Sequence, residues 1–70
     1  MGLKTARRVA LHMKDNTTIE GLLVKRTRSE FVLIKAKIVQ DVNATYDLGG
    51  HVEVPRENVY VVQSIDRGAE

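Results

Sequence analysis

The segment VPRENVYVVQSI, residues 54–65, constrains the fold more than any other stretch of the chain. After one proline and a polar corner it runs Val59, Tyr60, Val61, Val62 and, two polar residues later, Ile65. Successive side chains of a strand point to opposite faces, so a strand built here is apolar on both. An uncovered sheet edge of that kind is an aggregation liability. The chain has 70 residues, room for a single domain spanning 1–70. A domain this small buries only about 60% of its unfolded surface, and its core supplies roughly 3–5 kcal/mol. Small proteins make up the shortfall with disulfides, a structural metal or oligomerisation. With no cysteine in the sequence, disulfides are excluded and a structural zinc is disfavoured. Self-association remains, and a second copy of the chain is the expected cover for the last strand.

No apolar run approaches the roughly 18–20 residues of a membrane span, and Met1 to Arg8 lacks the apolar middle of a signal peptide. A soluble, cytoplasmic protein is expected. Charge is unevenly spread: residues 1–37 hold nine Lys or Arg against three Asp or Glu, and residues 38–70 hold two against six. Such asymmetry can mark a polyanion-binding face, though a charge run is more often a solvated, unevenly charged surface.

Leu3 to Arg8 contains helix formers enough for one or two turns. From Val9 the period becomes two, with Val9, Leu11 and Met13 facing one way and Ala10, His12 and Lys14 the other, the pattern of a half-buried strand. KDNTT then supplies Asp15 and Asn16, which tolerate the left-handed conformation of tight hairpins. TIEGLLVK is the second strand, with Gly21 at its centre, where a glycine permits a bend or the close approach of another backbone. A charged corner, KRTRSE, leads to FVLIKAKIV, apolar without a break from Phe31 to Ile34 and so expected to be buried on both sides. Gln40 to Gly50 carries turn formers and two adjacent glycines, and is expected to be a long hairpin connection. HVEV forms the fourth strand with Val52 and Val54 inward, Pro55 ends it, and NVYVVQSI is the fifth. The fold class is therefore all-β: a small, five-stranded, strongly bent SH3-like or OB-like barrel.

The arrangement VALHMKDNTTIEGLLVKRTRSEFVLIKAKIV resembles the first sequence motif of the Sm and Sm-like family, and HVEVPRENVYVVQSI resembles the second. The likeness spans residues 3 to 65, with the family's variable loop falling at Gln40 to Gly50. It implies an Sm-like barrel behind a short N-terminal helix. It also implies a homo-oligomeric ring, about five to seven subunits, joined by the fourth strand of one copy and the fifth of the next. On that reading Val52, Val54, Val59, Tyr60, Val61 and Val62 form the oligomer interface. Many family members hold single-stranded RNA near the pore, using an Asp and an Asn in the second-to-third-strand loop and an Arg-Gly before the last strand. Here the first loop reads KRTRSE and the second Pro55-Arg56-Glu57-Asn58, a departure compatible with a ring that has lost the base pocket or never had it, as in phage-derived and other divergent Sm-like proteins.

The residues that fall on those two loops, Lys25, Arg26, Arg28, Arg56 and Asn58, are the candidate nucleic-acid contacts. Repeated by ring symmetry, their charges would hold phosphates without reading sequence; as single loop charges they would only be solvated. A ring that serves as a structural or adaptor component, meeting protein and not RNA, is the alternative. No metal or cofactor is expected: His12 and His51 lack ligand spacing with acidic partners. No enzyme is expected either, because Ser29 and Ser64 have no neighbouring base motif and no phosphate-cradling loop is present.

Overall fold

The computed structural model describes residues 7–41 and 44–65. They form five strands: β1 (Arg7–Met13), β2 (Thr18–Arg26), β3 (Glu30–Asp41), β4 (Ala44–Pro55) and β5 (Val59–Ser64), with a single 3₁₀ turn, Arg56–Asn58, before the last. All neighbours are antiparallel in one sheet of order β4-β3-β2-β1-β5. β1 to β4 is a meander, and β5 returns to the far side of β1. No pairing joins β4 to β5, so the sheet is open and these two strands are its edges. The expected N-terminal helix lies outside the described residues except at Arg7 and Arg8, which belong to β1. No helix among the described residues is long and apolar enough to cross a membrane.

The period-two reading of β1 holds. Val9 and Leu11 are buried and Met13 packs against them, joined by Phe31, Leu33, Ala36 and Val54 in one core. Ala10, though on the opposite face, is also buried, its small side chain flanked by Glu20 and Gln63 on the neighbouring strands. In β3 the apolar run divides: Phe31 and Leu33 are buried, while Val32 and Ile34 on the other face are half-buried. The β1–β2 hairpin turns as its residues require. Asn16 takes φ 75°, its amide donates to the Met13 carbonyl at 3.0 Å, and the Met13 amide donates to the Thr17 carbonyl at 2.8 Å. Asp15 Oδ1 accepts from both the Thr17 hydroxyl (2.7 Å) and the Thr17 amide (3.0 Å). These bonds, the hydroxyl's first, hold the Asp15 carboxyl below the usual carboxylate range.

The segment expected to be a long connection is strand. β3 continues to Asp41 and β4 begins at Ala44, so most of Gln40–Gly50 lies within the ladder. Leu48 stands opposite Ala36 and Tyr46 opposite Ile38, carrying the alternation outward. The paired glycines mark a bend inside β4 and not its end. Register shifts fall at the same level on three strands, beside Gly21 in β2, at Lys35 in β3 and at Gly49–Gly50 in β4. Lys35 (φ 51°) and Gly50 (φ 66°) take left-handed backbone there. Aligned bulges sharpen the local twist and fold the sheet across its strands.

Candidate functional site

Three surfaces receive the residues singled out by the sequence. The first is the edge strand β5. Tyr60 is 76% exposed and Val61 and Val62 are each 44% exposed, with Val59 half-buried beneath them. Tyr60 is the extra residue where the β1–β5 register shifts, opposite the step from His12 to Met13. On the other edge, Val52 is half-buried against the core. Val54, expected at an interface, is 2% exposed inside its own chain, so its side chain has nothing left to offer a neighbour.

The second surface is the corner where the β2–β3 loop meets the 3₁₀ turn. Thr27 organises the loop: its amide donates to the Glu30 carbonyl at 2.9 Å, and its hydroxyl oxygen accepts from the amides of Ser29 (3.2 Å) and Glu30 (3.0 Å). Arg56 then clamps the two segments together. Its amide donates to the Ser29 carbonyl at 2.8 Å, its Nε donates to the Thr27 carbonyl at 2.7 Å, and its guanidinium carbon stands 4.6 Å from the centroid of the Phe31 ring. A cleft of about 580 Å³ opens beside this clamp, lined by Arg28, Ser29, Glu30, Pro55, Arg56 and Glu57. Two cations and two carboxylates share it. Asn58 is not part of this corner: its carbonyl accepts from the Lys14 amide at 2.9 Å, and it borders a separate hollow with Met13, Lys14 and Asp15.

The third surface is a groove of about 400 Å³ on the concave side of β1, β2 and β5. Arg7, Lys25 and Arg26 surround it, over Val9, Leu23 and Val62. Lys25 and Arg26 were expected beside Arg28 and Arg56, but past a register shift between Leu23 and Lys25 they line this groove with Val62 and Ser64 of β5 instead. Arg7 was not singled out by the sequence. The signal for it was its spacing of two from Val9, hidden because LKTARR reads locally as helix.

His12 sits on the opposite face, its Nε2 2.9 Å from Gln63 Oε1 and its Nδ1 3.3 Å from the Thr18 hydroxyl. It ties β1 to its two neighbours, as a strand-face histidine does. Among the described residues no group of His, Asp or Glu could hold a metal ion.

No protein-family model and no curated protein matches the sequence.

Proposed function

We propose that the chain is the repeating subunit of a homo-oligomeric Sm-like ring, its bent sheet acting as a strongly curved SH3-like barrel that neighbouring copies complete. The observation that carries this reading is the state of β5: an edge strand whose outward backbone groups pair with no other strand among the described residues, with three exposed large side chains, Tyr60, Val61 and Val62. Tyr60 keeps three quarters of its surface in water and Val61 and Val62 a little under half. Covering them therefore contributes part of the roughly 1.5–3 kcal/mol per side chain that full apolar burial gives, an appreciable share of what a 70-residue core provides alone. The molecule also has a second free edge, β4, to meet the first. Two different edges per copy make a head-to-tail joint, which closes into a ring when the rotation per copy allows. The mass of the intact assembly, measured by native mass spectrometry or light scattering, tests this. A discrete multiple of the 7.9 kDa chain is the expected result, and a single chain at high concentration would refute it.

The balanced charge of the corner cleft favours a structural or adaptor ring that meets protein. Arg28 and Arg56 stand against Glu30 and Glu57, and Arg56 is already engaged with Thr27 and Phe31. The second reading, single-stranded RNA held without sequence preference, is supported by Arg28 and Arg56 lining one cleft that symmetry would repeat around a pore. Binding of oligo-uridine and oligo-adenine at two salt concentrations separates the two. Steep salt dependence supports RNA, and no binding at low salt removes it.

A further inference from the structure

The proposed joint between β5 and β4 has a register parity that can be worked out from the backbone. The Ile65 amide donates to the Arg8 carbonyl at 3.0 Å, which makes Arg8 and Ile65 a hydrogen-bonded pair. Counting in twos along the ladder, Gln63 and Val61 direct their N–H and C=O groups at β1, and Val62 and Ser64 turn theirs to the open edge. At the other edge the Arg56 amide donates to the Ser29 carbonyl. The same count has Val54 and Val52 facing β3, with Glu53 and His51 facing outward.

Backbone direction and side-chain face are linked. Val62 and Ser64 share the concave face with Leu11 and Val9, their partners in β1. Glu53 and His51 lie on the face opposite Val52 and Val54. Residues that exchange hydrogen bonds across an antiparallel pair stand opposite one another with side chains on the same side. Because every neighbour in the sheet is antiparallel, β4 and β5 run in the same direction. A joint between them is antiparallel when the second copy's sheet is turned over, and that joint sets Glu53 and His51 of the second copy beside Val62 and Ser64 of the first. Val62 and Ser64 border the groove of Arg7, Lys25 and Arg26. The side chains of these three cations and of Glu53 are exposed and have no hydrogen bond or ion pair to another described residue.

From this we propose that the joint is antiparallel and that Glu53 is its specificity-determining residue: on β4 of one copy, it enters the Arg7–Lys25–Arg26 groove of the next. The inference rests on the ring reading above and adds to it the reason the joint is head-to-tail. A two-fold β5–β5 joint would bring two basic grooves together with no acid between them among the described residues, and like charges set opposite one another oppose it. A β4–β4 joint would offer Glu53 a second Glu53 or His51 and no basic groove. The β5–β4 joint brings Glu53 to the three cations, and a joint of two different surfaces is the kind that propagates.

The test uses the full chain and follows assembly by native mass and sedimentation at low and high salt, with thermal melts confirming that each variant folds. Glu53→Arg, and separately the pair Arg7→Glu and Arg26→Glu, should each weaken assembly roughly a hundredfold, and the chain carrying all three changes should recover most of it. The milder Glu53→Gln should weaken assembly several-fold, with the loss shrinking at high salt. If wild type assembles and charge reversal leaves it intact, or if the triple variant fails to recover, the role of Glu53 is overturned while the ring stands. If wild type stays a single chain, both readings fall. If reversing Arg7 and Arg26 abolishes oligo-uridine binding without touching assembly, the groove is a phosphate site and the proposal is overturned.

Discussion

Gly21 of β2 lies directly against Ala36 of β3, so closely that a Cβ on Gly21 would come within 3.0 Å of both the Cα and the Cβ of Ala36 and 3.1 Å of the Ile34 carbonyl oxygen. Two of these three atoms are backbone, and the third is fixed rigidly to it. The bend of the sheet depends on this contact, since Gly21 faces the bulge where Lys35 takes left-handed backbone. Gly21→Ala should therefore destabilise the fold by about 1–3 kcal/mol, as overpacking does. Denaturant unfolding at a fixed chain concentration checks it, and a midpoint equal to wild type would show that the strands can part without cost.

Gly21 was visible in the sequence as a place for a bend or the close approach of another backbone, and it is the site of both. The rest of the bend line was not. Gly49 and Gly50 look locally like a turn, and only the positions of Leu48 opposite Ala36 and Tyr46 opposite Ile38 show that β4 passes through them. That pairing is a long-range property, absent from any local window. The core residues Val9 and Leu11 were legible because period-two burial is local, whereas Phe31 and Leu33 were visible only within an unbroken apolar run that does not say which of its faces is the more buried. The basic residues were harder to place. Lys25, Arg26 and Arg28 are near neighbours in sequence, but the bulge before Lys25 and the corner at Thr27 send them to two different surfaces.

The β1–β2 turn should respond to backbone chemistry. Asn16 at φ 75° occupies a conformation that costs an ordinary L-residue roughly 1–2 kcal/mol. Asn16→Val should lower stability by about that amount, whereas Asn16→Gly should be close to neutral. Thermal melts of the two variants beside wild type make the comparison, and equal losses for both would mean that the Asn16 side chain, and not its backbone angle, matters.

The Asp15 carboxylate stabilises the folded chain because the Thr17 hydroxyl and amide bond its charged form. Its pKa is lower folded than unfolded, so this contribution is fully present above the unfolded pKa and is lost as pH falls through the folded one. Asp15→Ala should be less stable than wild type at neutral pH, and the gap should close on acidification below the usual carboxylate range. Melting temperatures of both chains from pH 7 to pH 2 measure it; a gap that stays constant would mean that the charge of Asp15 plays no part.

Arg56 offers a way to separate a structural contribution from a phosphate contact, because the clamp needs a guanidinium and a phosphate needs only a positive charge. Arg56→Lys keeps the charge but cannot reproduce both the Nε bond to the Thr27 carbonyl and the placement of a guanidinium over the Phe31 ring. The exposed cation–ring contact contributes about 0.5–1 kcal/mol and the hydrogen bond about as much again. A loss of roughly 1–2 kcal/mol in stability is therefore expected, with little change in any salt-dependent binding of oligo-uridine. Arg28→Gln, for which no clamping contact exists among the described residues, should do the reverse: stability unchanged, and any phosphate binding reduced. Chemical denaturation and a salt titration on the same two variants decide between these roles. If Arg56→Lys instead leaves stability intact and abolishes binding, Arg56 acts as a ligand contact and the corner is held by the Thr27 loop alone.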